Sequence, residues 1–455
     1  MGDETVETSA RPKNDSRRFW AVLGLIIVVA LGVRIVFVVT VAQNDTGFYD
    51  ASYYELQADA NADGKWFTNP FPFIVDPGPA ADHPPLTAIV LTPIAEIWRH
   101  DNLMQMRYFM AALGGGVVLV IGLLGRRVGG DRVGWLAAAI AAIYPYLWVN
   151  DGLIMSETLA AGLTAGAVLL TYRLRSRPGL ATAAGLGVVC GLATLTRAEL
   201  ALLAPLLAIP TAFALRSQAT KMRVLVAVVV LAVTGVVVAP WIIWNSTRFE
   251  KPVLISTNEG IALLGSSCQN VFYGPATGLT ALRCLPNPFP KGDQSVVSEI
   301  FRKKSFDYIG DHAARFPVVL LARAGRTWSL FRPGDMLSLN EGEGRPRWIT
   351  GLGLGFYYPL LALAIGGVVV LIRRRASVWP LLVPAVVVTA GTLLAYGQTR
   401  FRVPAEPSIV VLAAFALVAG FDWLRSRRTA SGPGEAPEPA EQPPGDPELV
   451  EATGP

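Results

Sequence analysis

The chain has 455 residues, 52% of them hydrophobic and only 16% charged, with a formal net charge of +5 and a mean hydropathy of +0.43. Soluble domains carry roughly 25% charged residues, so these charges are too few to coat a soluble protein, and a disordered chain, a disulfide-rich secreted scaffold and a coiled coil are excluded as well. The modest positive charge comes without a basic stripe interleaved with aromatics, so nothing points to nucleic acid.

The remaining architecture is an all-α polytopic membrane protein. A spanning helix needs about 20 mostly apolar residues, and ten segments qualify: 20–42, 108–125, 133–149, 153–172, 179–196, 199–215, 224–244, 351–372, 379–397 and 406–424. Every second connection is basic: Arg17 and Arg18 before the first segment, then Arg126 and Arg127, Arg173 and Arg175, Lys221 and Arg223, Arg373 to Arg375, and Arg425 with Arg427. Cytoplasmic flanks collect Lys and Arg, so ten spans with both termini in the cytoplasm are expected. This gives a cytoplasmic tail at 1–18, a transmembrane module at 19–244 with a first outer loop at 43–107, and an extracytoplasmic region at 245–350. C-terminal spans follow at 351–424, and a Pro-, Glu- and Gly-rich cytoplasmic tail at 425–455 is expected to be disordered. The first span is too long and evenly apolar for a cleaved leader and reads as an anchor. The setting is a plasma membrane, with the composition pointing to a bacterial one.

The first outer loop carries the most chemistry. Asp50 lies just beyond the first span among Phe48, Tyr49, Tyr53 and Tyr54. Asp45, Asp59, Asp63 and Asp76 read as solvated loop acids. After Asp82-His83-Pro84-Pro85, the residues Leu86, Ile89, Val90, Pro93, Ile94, Ile97 and Trp98 follow a helical stripe, predicting a short helix lying flat in the interface. Asp82 is placed to cap it, and His83 is either a surface residue before that helix or a phosphate ligand. Arg34 lies within the first span, where it faces the bundle or snorkels outward. Arg323 and Arg326 suggest a second interfacial helix. Cys190 is a packing residue in the fifth span. Cys268 and Cys284 share the second long loop, either bridged or as two free thiols.

Several short motifs recur in order and on one side of the membrane. They are Asp50 with Tyr53 and Tyr54; His83-Pro84-Pro85-Leu86; Met155-Ser156-Glu157-Thr158-Leu159; Thr196-Arg197-Ala198-Glu199; Pro240-Trp241 with Asn245; Ser256-Thr257-Asn258-Glu259-Gly260; and Arg400-Phe401-Arg402-Val403-Pro404. Together they resemble the polyprenyl-phosphate-sugar-dependent glycosyltransferases of the GT-C superfamily, nearest to the protein mannosyltransferase and lipid A aminoarabinose transferase family. The sequence departs from that pattern where many members carry two adjacent acids, since Asp50 is followed by Ala51.

The resemblance implies a donor of polyprenyl-phosphate-linked sugar, an extracytoplasmic glycan, lipid or protein acceptor, and membrane lipid as surroundings. Such transfer needs a base for the acceptor hydroxyl and cations for the departing phosphate. Asp50 is the expected base. His83, Arg197, Arg400 and Arg402 are the expected donor-phosphate ligands, each Arg being otherwise a snorkelling side chain. Tyr53, Tyr54, Asp151 and Glu157 are candidates for orienting substrate. No His, Cys and Asp cluster demands a metal, although a divalent cation fits the chemistry. The other reading is a transporter or flippase, which calls for acids at mid-membrane and two related halves.

Overall fold

A computed structural model describes residues 13–45, 50–71, 78–99 and 102–430. Asp76 and the expected tail beyond residue 430 lie outside the described residues. The described chain is helical, with one isolated bridge between Thr68 and Pro79 and no strand among the described residues. In chain order the helices are α1 Lys13–Thr40, α2 Asp50–Ala62, α3 Leu86–Ile97, α4 Leu103–Gly129, α5 Asp131–Ile143, α6 Pro145–Asp151, α7 Glu157–Ser176, α8 Leu180–Thr196, α9 Leu203–Ala214 and α10 Thr220–Ser246. The second long loop holds α11 Asn258–Gly265, α12 Gln269–Phe272, α13 Gln294–Asp311, α14 Phe316–Thr327 and α15 Pro333–Glu341. The chain then forms α16 Arg347–Arg373, α17 Trp379–Leu394 and α18 Glu406–Ala430. A 3₁₀ turn, Thr399–Ala405, leads into α18.

Each of the ten apolar segments is helical, but they are not ten equal spans. Among the described residues five helices are long and apolar enough to cross a membrane, or six if the bent pair α5–α6 counts as one, by length and composition. The pair bends by 60°. Tyr144 precedes Pro145, and a residue before proline is driven out of the helical region; Tyr144 is accordingly extended, with ψ 114°. The last helix runs on to Ala430, six residues into the segment expected to be an unstructured tail.

Two apolar cores organise the bundle. One packs α1, α4, α5, α16 and α18 around Val118, Ile121, Ala138 and Val410. The other packs α7, α8, α9, α10 and α17 around Ala167, Leu186, Leu207 and Val230. The α7 helix contributes to both, Val168 to the first and Ala167 to the second. It is the seam of the molecule, and Glu157 begins it. In the first core α4 and α5 cross closely because a Cβ on Gly134 would come within 2.8 Å of the Gly122 carbonyl. Small residues permit this approach, which is how helices pack where lipid supplies no hydrophobic drive.

The helix expected after His83-Pro84-Pro85 is present as α3, with a face opposite to the usual soluble one. Thr87, Ala88, Leu91, Thr92 and Ala95 are buried, while the predicted stripe points outward at Ile89, Pro93, Ile97 and Trp98. Asp82 does not cap it. Pro85 is the N-cap residue with no side-chain bond, and Asp82 Oδ2 accepts from Gln294 Nε2 at 2.7 Å instead. The α14 helix is built the same way: Val318 and Leu321 are exposed, whereas Arg323 and Arg326 are buried. Arg323 donates to the carbonyls of Leu393 at 2.8 Å and Ser266 at 3.1 Å. Arg326 donates to the carbonyls of Thr277 at 2.7 Å and Pro275 at 2.5 Å. Buried carbonyls need donors, and these two side chains supply them to the second long loop and to the end of α17. Cys268 and Cys284 are bonded in that loop, with Cα atoms 5.6 Å apart.

Candidate active site

At one end of the α7 seam, chain segments far apart in sequence bring their charges together. Asp50 opens α2, with its side chain 35% exposed. Its Oδ2 accepts from Arg400 Nη1 at 2.7 Å, and its Oδ1 lies 3.9 Å from His83 Nε2. Burial pushes the Asp50 carboxyl up, but the guanidinium of Arg400 and then His83 outweigh it and hold the group well below the usual carboxylate range. Asp50 is thus ionised, and its charge is already engaged. His83 is fixed between two rings, edge-on to Tyr53 with centroids 4.7 Å apart and tilted to Tyr54 at 5.2 Å. Burial, then the neighbouring Asp50 charge, raises the Tyr54 phenol, which bonds Ser156. Tyr54 therefore stays neutral and fixes the ring wall rather than reacting.

Behind this pair sits a wider ionic network. Arg400 Nε lies 3.5 Å from Glu343 and its Nη1 4.0 Å from Glu157. Arg197 donates to Glu199 at 2.7 Å and to Glu157 at 3.4 Å. Arg345 reaches Glu343 at 2.8 Å, Glu157 at 3.8 Å and Asn150 Oδ1 at 2.9 Å. The site end therefore gathers Asp50, His83, Glu157, Arg197 and Arg400, all named from sequence, with Arg345, Glu343 and Asn150, which were not. The signal for the missed pair was the segment Gly342-Glu343-Gly344-Arg345-Pro346 just before a span. Two charges flanked by Gly and Pro have no periodicity to attract notice, yet they stand at the mouth of the bundle.

Two expected members lie elsewhere. Arg402 is two residues from Arg400 in a 3₁₀ turn, where each residue advances about 120°, so the two guanidiniums leave the turn on different sides. Arg402 is fully buried against Glu406 at 2.6 Å, the Thr327 carbonyl at 3.1 Å and the face of Tyr357 at 3.5 Å. Tyr144 closes this second cluster by donating to Glu406 at 3.0 Å. Asp151 is likewise sealed away: its Oδ2 accepts from Arg34 Nε at 2.7 Å and its Oδ1 from Thr158 at 2.7 Å. Arg34 faces the bundle, as one of the two expected positions required. Both are internal ties, buried away from the Asp50 group.

The fold and this charge cluster together define a polytopic helical membrane protein with a charged site at one end of its bundle. Residues 82–244 match the family model described as dolichyl-phosphate-mannose-protein mannosyltransferase. No curated protein matches. The fold is similar to the archaeal oligosaccharyltransferase AglB from Archaeoglobus fulgidus, solved with an inhibitory peptide and a dolichol-phosphate, at TM-score 0.59 and 16% identity over 92% of this chain and 52% of that one. The Archaeoglobus fulgidus oligosaccharyltransferase in complex with Zn and sulfate gives TM-score 0.56 and 18% identity over 89% and 50% of the two chains. Its apo form gives 0.57 and 17% over 90% and 51%. The chain spans about half the length of these structures. The resemblance drawn from the motifs thus holds for the matched segment and for the fold.

The donor set around Asp50 does not suit a divalent cation as it stands. Both carboxylate oxygens face cationic or imidazole groups, and among the described residues no three His, Cys, Asp or Glu side chains converge as ligands.

Proposed function

We propose that this protein is a membrane glycosyltransferase that moves a sugar from a polyprenyl-phosphate donor to an extracytoplasmic acceptor with inversion. The single observation that carries the reading is the Asp50–Arg400–His83 group at the mouth of the bundle. A carboxylate and two phosphate-seeking side chains stand together there, within reach of lipid. The match to the mannosyltransferase family model and the fold shared with a lipid-linked oligosaccharyltransferase support transfer from a lipid-linked sugar.

In this mechanism the acceptor hydroxyl oxygen attacks the anomeric carbon. The bond from that carbon to the phosphate oxygen breaks with its electron pair, leaving a polyprenyl phosphate. The hydroxyl proton passes to the Asp50 carboxylate. Arg400, with His83 and Arg197, stabilises the charge on the leaving phosphate, an effect that is strong because these groups are preorganised in a site of low dielectric. Phosphate leaves without protonation, so no second acid is required. The 2.7 Å ion pair gives the step an order: a phosphate that engages Arg400 loosens its hold on Asp50 and frees that carboxylate to accept the proton.

The membrane disposition belongs to the same proposal, with ten crossings, cytoplasmic termini and a bacterial plasma membrane. The test is incubation of membranes containing the wild type or Asp50→Asn with labelled polyprenyl-phosphate sugars, followed by product identification. Loss of a positioned base costs about 10²–10⁴ in rate. Full transfer by Asp50→Asn removes it as the base. Solute movement by the purified protein without donor cleavage makes it a transporter.

A further inference from the structure

We infer that Glu157 is the positioning residue that gathers Arg197, Arg345 and Arg400 into one cationic wall for the donor's phosphate; this rests on the reading just given. The three guanidiniums come from the end of α8, the loop before α16 and the turn before α18, so no local structure obliges them to meet. Like charges brought together repel, the more so when buried. Each already has an acid of its own: Glu199 for Arg197 at 2.7 Å, Glu343 for Arg345 at 2.8 Å, and Asp50 for Arg400 at 2.7 Å. Pairwise neutralisation therefore does not need Glu157.

What Glu157 adds is a shared anion. Its Oε1 lies 3.4, 3.8 and 4.0 Å from the three guanidiniums, within reach of all and tightly bonded to none. The carboxylate is fully buried and stands at the first position of α7, where the helix terminus favours negative charge. Two atoms of this arrangement have no hydrogen-bond partner although they are buried, Glu157 Oε2 and Arg345 Nη2. Buried polar atoms are nearly always hydrogen-bonded, and Arg345 Nη2, held only by the Glu157 charge at 3.8 Å, keeps a donor that an incoming phosphate can accept from. Arg345 thereby joins the phosphate-binding set, and Glu157 holds that set together from behind without touching the reacting atoms.

The consequence is a separation of effects. Removing the charge at 157 lets the guanidiniums spread and weakens phosphate binding, while Asp50 keeps its place on α2. The experiment measures binding of undecaprenyl phosphate to the purified protein in detergent, and the donor KM and kcat in membranes. Glu157→Gln is expected to weaken undecaprenyl phosphate binding about tenfold or more and to raise donor KM more than it lowers kcat. Glu157→Asp keeps the charge and is expected to restore most of the loss, which a purely steric role would not predict. Arg345→Met is an independent arm, expected to weaken binding several-fold. Combined with Glu157→Gln it is expected to cost less than the sum, because one repelling cation has gone. Wild-type binding with no change in Glu157→Gln or in Arg345→Met overturns the inference alone, as do strictly additive losses. Failure of the wild type to bind undecaprenyl phosphate overturns the donor reading and this inference with it.

Discussion

Replacing one member of the Arg34–Asp151 pair is expected to damage the protein far more than replacing both. The pair is wholly internal, with side chains 0% and 4% exposed and Nε to Oδ2 at 2.7 Å. Arg34 Nη1 has only the carbonyls of Ala30 at 3.0 Å and Ala142 at 3.4 Å, and its Nη2 has no partner. Asp151→Leu therefore strands a cation among apolar helices. Breaking a buried pair from one side costs about 3–5 kcal/mol, whereas replacing both members with well-packed apolar groups is often neutral or better. At about 1.4 kcal/mol per tenfold, either single variant shifts the unfolding equilibrium by about two to three and a half decades. Such proteins unfold irreversibly, so the readout is the half-life of the purified protein at a fixed elevated temperature. Arg34→Met and Asp151→Leu are each expected to shorten it sharply, and the double variant to outlive both. A double variant that decays faster than either single one refutes the reasoning. Gly114→Ala is a steric probe of the same contact and is also expected to shorten the half-life, since its Cβ would come within 2.7 Å of Arg34 Nε and closer still to the Asp151 carboxylate.

The pH dependence of donor use follows from the sign of the Asp50 shift. Its folded carboxyl is depressed, so the stability of its pair with Arg400 is fully present above the ordinary carboxylate pKa and is lost only as pH falls through the lower folded value. Arg400→Gln leaves burial opposed only by His83 and Arg345, and the acid limb of kcat/KM, which reports the free enzyme, is expected to move to higher pH; an unmoved limb argues against Asp50 as the base. Cys268→Ser opens a loop with a sequence separation of 16, for which about 3 kcal/mol is expected, seen as faster proteolysis between residues 266 and 284. Arg326→Met removes the donors to the Thr277 and Pro275 carbonyls and is expected to expose the same segment to protease while α18 stays intact.

Much of this was legible in the sequence because hydropathy and charge sidedness are local. The ten apolar segments all became helices, and the acid, His and Arg that flank them converge. What sequence could not supply was direction. Arg400 and Arg402 are near neighbours with the same chemistry, yet the turn sends one to Asp50 and the other to Glu406. Asp151 and Glu157 stand six residues apart across the start of α7, and one closes on Arg34 while the other faces the arginines. The interfacial stripe was placed correctly in the chain, but periodicity cannot tell whether an apolar face packs on protein or on lipid. The contacts of Ala88, Leu91 and Ala95 decide that, and most come from segments tens of residues away.

The outward stripe of α3 also gives the site a depth gauge. His83 stands three residues before the helix, and in the proposed membrane disposition the exposed Ile89, Ile97 and Trp98 would seat that helix where acyl chains meet headgroups. A lipid phosphate lives at that level too. The imidazole would then be levelled by the bilayer itself, as a float is by water. A lipid-linked donor, as proposed, could then be met at its polar head without being drawn out of the lipid.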